Sequence, residues 1–125
     1  MSIFSLFSQS LIKENYIFFD LETTGLFPLG GDRVVELAMI KTQKGEVVDK
    51  LEYLFNPGMP IPPEASAINK ITNDMVMDSP LFSREIGERI IEFIDKSTLV
   101  AHNAPFDLSF LSSEMARVGV TYEGW

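Results

Sequence analysis

Two carboxylates one residue apart close an apolar run in Phe19-Asp20-Leu21-Glu22-Thr23-Thr24-Gly25, and this spacing is where the chain could do chemistry. Side chains alternate across a strand, so Asp20 and Glu22 project to one side with Cα atoms roughly 6 to 7 Å apart. Two acids held this close repel each other and are costly to desolvate unless a cation neutralises them. Oxygen donors suit Mg²⁺ or Mn²⁺ rather than zinc, so a divalent metal site is the reading with chemical content. Ordinary solvated acids at a strand end are the competing reading. The flanking hydroxyls of Thr23 and Thr24 and the unencumbered backbone of Gly25 favour the metal, because they could approach a phosphate or sugar closely.

A third acid lies far along the chain. Thr98-Leu99-Val100-Ala101 reads as a strand that ends at His102-Asn103. Asn103 can cap a helix whose first turn holds Ala104, Pro105 and Phe106, with Asp107 beside the positive end of the dipole. Taken alone, Asp107 reads as an acid that complements that dipole. If the two strands are neighbours, Asp20, Glu22 and Asp107 converge.

The elements that must position these residues follow from pattern. Tyr16-Ile17-Phe18-Phe19 is a short β-forming run entering a polar loop, and Arg33 to Lys41 and Val47 to Asn56 read as two further strands around Gly45. That spacing predicts a hairpin and a mainly antiparallel sheet. Asn56 through Pro63 carries four prolines and cannot continue a central strand, so an extended loop is expected, with a short helix opening at Glu64. Thr72 or Asn73 could cap another helical turn. Phe82, Ile86, Ile90, Phe93 and Ile94 form one apolar stripe at helical spacing, which predicts a helix covering a sheet face. Phe106, Phe110, Leu111, Met115 and Val118 should face the core or line a cleft.

Length and composition bound the rest. The chain has 125 residues, 46% of them apolar and ten of them Phe, which argues for one small folded domain. Residues 14–125 are expected to form it, behind an apolar extension at 1–13. There Ile3, Phe7 and Leu11 recur every four residues and suit a short amphipathic helix that packs on the domain, the favoured reading, or touches a partner. That segment lacks a basic n-region and a small-residue cleavage site, and no apolar run approaches the ~20 residues of a membrane helix. A cytoplasmic protein with no membrane contact is expected. With no Cys, disulfides and thiolate metal sites are excluded. A formal charge of −8 weighs against sequence-independent nucleic-acid binding through a broad basic surface, but not against nucleic acid as a substrate of a metal-loaded carboxylate site.

Phe19 through Leu26, together with Val100-Ala101-His102-Asn103-Ala104-Pro105-Phe106-Asp107-Leu108-Ser109-Phe110-Leu111, resembles the first two motifs of the DEDD exonuclease superfamily. Within it, the similarity is to the proofreading epsilon subunits of bacterial DNA polymerase III. Asn56-Pro57 through Ala65, and Ile68-Asn69-Lys70-Ile71-Thr72, are similar to the segment between those motifs. The resemblance implies an α/β, RNase H-like exonuclease fold with a mixed central sheet flanked by helices. It implies 3′ to 5′ removal of nucleoside monophosphates from DNA by two divalent cations, Mg²⁺ or Mn²⁺, roughly 4 Å apart. Carried across by position, Asp20, Glu22 and Asp107 are the catalytic metal ligands, and Thr23, Thr24, Gly25 and Leu26 line the pocket of the terminal nucleotide. Ile68 and Phe106 look like apolar contacts to its base or sugar, and His102 and Asn103 like polar contacts or organisers beside it. Asn69 stands where many relatives have His, and Lys70 where they have Gly.

The resemblance also implies a third motif with a His general base and a final Asp ligand. Neither occurs between Asp107 and Trp125, where the acids are Glu114 and Glu123. The chain is therefore expected to be a piece of a longer exonuclease with the C-terminal part of the fold missing. Alone it should be weak or inactive, since general-base catalysis contributes about 10² to 10⁴ in rate. The expected partners are the 3′ end of single-stranded DNA and a DNA polymerase subunit, and the incomplete sheet leaves an edge that a second copy could complete. RNA is the alternative substrate, because these residues do not report on a 2′-hydroxyl. A non-catalytic nucleotide- or partner-binding module on the same fold is the third reading.

Overall fold

In the computed structural model the described residues are 15–122. The amphipathic helix expected on Ile3, Phe7 and Leu11 lies outside them.

Four strands form one sheet in the order β3-β2-β1-β4. β1 spans Asn15–Thr23, β2 Val34–Gln43, β3 Glu46–Leu54 and β4 Thr98–Val100. β1 runs antiparallel to β2, with Asp20 opposite Ala38 and Glu22 opposite Glu36, until a register shift between Glu22 and Thr23. β4 pairs with β1 in parallel, Phe18 beside Val100, so the sheet is mixed. The β2–β3 hairpin turns on Lys44 and Gly45, both at positive φ, the two-residue geometry whose twist matches the strands it joins. β1 is longer than its apolar run implies. Asp20 and Glu22 lie in its C-terminal half, paired with β2, at the strand end where their spacing puts them.

Period-two alternation divides the faces of β1: Ile17, Phe19 and Leu21 are buried while Asp20 is exposed and Glu22 half-buried. The buried set joins Leu37, Met39 and Leu51 in the main core. Two helices close that core. α3 (Arg84–Ile94) starts where the Ser83 hydroxyl accepts the Ile86 N–H, and it buries Ile90 and Ile94. α4 (Ala104–Arg117) buries Phe110, Leu111 and Met115. Phe82 precedes α3 and still packs in the core, its ring 5.3 Å from that of Phe55.

A smaller layer sits at one end of the sheet. α1 (Pro63–Asn69) and α2 (Asn73–Val76) bring Ala65, Ile71 and Val76 onto Val35 and Ile61. Thr72 caps α2 by accepting the Met75 N–H. The extended segment before α1 is irregular, as its prolines require. No helix among the described residues is long and apolar enough to cross a membrane.

Candidate active site

Parallel pairing of β1 and β4 brings the C-terminal ends of both strands to one edge of the molecule. The turn after β4 then launches α4 beside the acid-bearing half of β1. Asn103 stands at the N-cap and Pro105 in the first turn, where a missing N–H costs nothing. The Asn103 side chain makes no capping hydrogen bond, contrary to the expected cap; the backbone carbonyl of Asn103 instead accepts the N–H groups of Phe106 and Asp107. Asp107, in that first turn, is 5% exposed.

Electrostatics join the three acids. Burial raises the Glu22 pKa above the usual carboxylate value, and the charges of Asp20, Glu36 and Asp107 raise it further. Asp107 is raised by burial first and then by Asp20. Backbone N–H groups of Leu21 and of Asp107 itself, and the neighbouring His102, oppose that rise. Asp20 therefore makes ionisation of both Glu22 and Asp107 harder, and Asp107 that of Glu22, a condition that an oxygen-loving divalent cation relieves. The donor set fits such a cation in chemistry. The side chains are not drawn into a ready cage: among the described residues no three His, Cys, Asp or Glu groups are gathered closely enough to hold a metal. Glu36, placed by the β1–β2 register directly opposite Glu22, belongs to this acidic surface, and sequence spacing alone did not point to it.

Next to the acids is a cleft of about 350 Å³, mostly apolar. Leu21, Glu22, Thr23, Thr24, Gly25 and Leu26 form one wall, and Glu64, Ala65, Ile68, Asn69 and Phe106 the other. Seven of the residues expected around a nucleotide thus share this space: Thr23, Thr24, Gly25, Leu26, Ile68, Asn69 and Phe106. His102 and Asn103 do not line it; both are exposed on the turn before α4. Ile68 is 83% exposed and Leu26 68%, so they stand at the rim. A larger, polar cavity of about 480 Å³ lies among Lys41, Asp49, Lys50, Arg89 and Glu92, and none of the candidate residues reaches it.

The threonine hydroxyls are engaged inside the protein. Thr23 donates to the Gly25 carbonyl at 2.7 Å. Thr24, buried, donates to Asp32 at 3.0 Å and accepts the Arg33 N–H at 3.0 Å. The Asp32 carboxylate also accepts the Phe27 N–H at 3.1 Å, so it clamps the loop that follows β1. A Cβ on Gly25 would lie 2.3 Å from Asp32 Oδ2, which gives that glycine a purpose other than closeness to a ligand. Asn69 Nδ2 donates to the Thr23 carbonyl at 3.3 Å while its Oδ1 accepts the Ile71 N–H, tying α1 to the end of β1.

The comparisons with known proteins agree with this geometry. The family model RNase_T, described as Exonuclease, matches residues 17–123. A DNA polymerase III subunit epsilon-like protein of Rhodobacter capsulatus is 40% identical over 121 residues, 95% of this chain and 17% of the relative. Exonuclease X, solved in complex with 5′-overhanging duplex DNA, is 36% identical and superimposes with a TM-score of 0.57, over 74% of this chain and 51% of that one. The zinc-ion-bound form of an E. coli exonuclease I–single-stranded DNA complex gives a TM-score of 0.75 at 22% identity, over 86% of this chain and 24% of that one, and shows the shared RNase H-like fold. The chain thus spans about a sixth of the length of its epsilon-like relative. From the family match and the 3-2-1-4 mixed sheet together, the chain belongs to the RNase_T exonuclease family.

Proposed function

We propose that this chain supplies the metal site and the 3′-terminal nucleotide pocket of a 3′ to 5′ DNA exonuclease. One observation carries the reading: Glu22 feels the charges of both Asp20 and Asp107 and also lines the apolar cleft. A nucleotide seated in the cleft would meet the acidic edge at its phosphate. Asp20, Glu22 and Asp107 would hold Mg²⁺ or Mn²⁺, which when bound activates water and stabilises in-line displacement at a phosphodiester.

The chain's own groups bind and orient. Leu26, Ile68 and Phe106 offer apolar surface to a base of any identity, a form of recognition that tolerates sequence. The wall from Thr23 to Gly25 meets the nucleotide largely as backbone, because both hydroxyls are bonded internally. Asn69 fixes that backbone through the Thr23 carbonyl. His102 acts on Asp107 through charge, as an organiser at the acid cluster, and Asn103 holds the first turn of α4 through its carbonyl. DNA is the substrate favoured by the relatives, two of which were solved with DNA and one of which is named for DNA polymerase III. Association with a polymerase belongs to the same proposal.

Thermal melting with Mn²⁺ and a deoxynucleoside monophosphate tests it. Ligand at 100 times its Kd should stabilise the chain by about 2.7 kcal/mol. Asp20→Ala should abolish the shift, and an equal shift in that variant refutes the site. Release of monophosphates from 3′-labelled DNA and RNA reads the polymer.

A further inference from the structure

Glu114 is 1% exposed, and the proposed chemistry leaves it without a task. Its carboxylate accepts Arg33 Nε at 3.0 and 2.9 Å, Arg33 Nη2 at 2.7 Å and the Val34 backbone N–H at 2.9 Å. Arg117 stands 4.0 Å away and donates its other nitrogen to the Pro28 carbonyl. Ion pairs on a surface are loose, but a buried, forked pair that also captures a backbone N–H has one geometry.

The placement of this pair is what gives it meaning. Glu114 lies seven residues beyond Asp107, two turns along α4, so the two acids share one buried face about 10 Å apart along the axis. At the other end of the pair, Val34 is the register partner of Thr23, the residue after Glu22. Arg33 is bonded to Thr24 in both directions, through its carbonyl and its N–H. The pair therefore links the helix that carries Asp107 to the strand that carries Asp20 and Glu22, through two backbone steps. Apolar packing of Phe110, Leu111 and Met115 turns one face of α4 to the core, and the forked charge pair adds a directional constraint on its rotation and axial position.

The geometry points to Glu114 as a positioning residue that, through Arg33 and Val34, fixes Asp107 relative to Asp20 and Glu22. This rests on the metal reading given above. The probe is Mn²⁺ alone, titrated calorimetrically into the 125-residue chain. Glu114→Gln keeps the shape and removes the charge, and it should weaken Mn²⁺ affinity about 10-fold, the lower end of what losing a group bonded to a metal ligand costs, because Glu114 acts on Asp107 through the helix and not by contact. Leu51→Ala, a core truncation on β3 remote from the pair, should lower the melting temperature and leave that affinity within about twofold. If Glu114→Gln does not fold, Arg33→Lys, which keeps the cation and loses the fork, carries the same expectation. Unchanged affinity in a folded Glu114→Gln, or an equal loss in Leu51→Ala, overturns the assignment. A crystal structure of Glu114→Gln with Asp107 unmoved beside Leu21 overturns it too. Mn²⁺ binding that survives Asp20→Ala would instead remove the metal reading, and the position of α4 in the variant still decides the positional claim.

Discussion

Replacing Arg33 by Met should leave the Glu114 carboxylate buried without its forked partner, with Arg117 Nη1, 4.0 Å away, as its remaining cation. The guanidinium makes three contacts to it within 3.0 Å, and the Val34 N–H would remain its one hydrogen bond, beside the long 4.0 Å pairing with Arg117. The Glu114 side chain is 2% exposed and that of Arg33 20%, so water cannot replace the lost donors from the Glu114 side. Removing one partner of a buried pair costs about 3 to 5 kcal/mol, and the partial exposure of Arg33 places this site near the lower figure. Met retains most of the stem packing, so the loss reports on pairing. With an unfolding entropy of about 2.1 cal/mol/K per residue, 3 kcal/mol corresponds to a fall in Tm of roughly 11 °C for a chain of this length. Arg84→Met is the control: its partner Glu88 is at 3.0 Å, but the side chains are 66% and 60% exposed. An exposed i,i+4 pair is worth about 0.3 to 0.5 kcal/mol, or roughly 2 °C here. Differential scanning calorimetry at neutral pH separates the two. A loss below about 4 °C in Arg33→Met would show that the pair contributes no more than an average exposed contact. Arg33→Met combined with Glu114→Leu should recover most of the stability, because no buried charge is left unpaired.

Three other perturbations follow from the geometry. The Asp107 pKa is raised in the fold, so its ionisation costs stability as pH climbs from the unfolded value, about 3.9, through the folded one. In metal-free buffer at pH 7, Asp107→Asn should therefore melt higher than the parent, with the gain vanishing below about pH 3.5; a lower Tm at pH 7 contradicts the reasoning. Gly25→Ala drives a Cβ into the Asp32 carboxylate and should cost about 1 to 3 kcal/mol, with faster hydrogen exchange at the Phe27 amide, and unchanged exchange there would clear Asp32 of its clamping role. Phe106→Ala should weaken binding of a deoxynucleoside monophosphate in Mn²⁺ by about 1 to 3 kcal/mol, read as a shifted calorimetric isotherm, and equal affinity would move the base out of this cleft.

The acids were legible in the chain because the alternation of a strand is a local rule. Asp20 and Glu22 two apart must share a face, and Asp107 after Pro105 must open a helix. The cleft residues from Thr23 to Leu26 were legible through resemblance, and so were Ile68, Asn69 and Phe106. Their hydroxyl chemistry was not. Thr24 looks available in sequence, yet Asp32, eight residues away, accepts the hydrogen bond of its hydroxyl in the fold. Gly25 invites a functional reading, and the close approach it permits is to a carboxylate of its own loop. His102 and Asn103 were expected beside the nucleotide, and both stand exposed on the turn before α4, outside the cleft that Phe106 lines.

By itself the sequence determined the family, the strand and helix types and the identity of the acidic groups, since periodicity, caps and motif spacing are properties of short segments. Whether those acids meet was decided only by the tertiary structure, through the parallel pairing of β4 with β1. Glu114 shows the difference most sharply. In the chain it is one more acid on a helix, eighty-one residues from Arg33. In the fold it is a buried charge whose partner and backbone contact depend on β2 and α4, from opposite ends of the domain, being packed together, and no local pattern encodes that meeting.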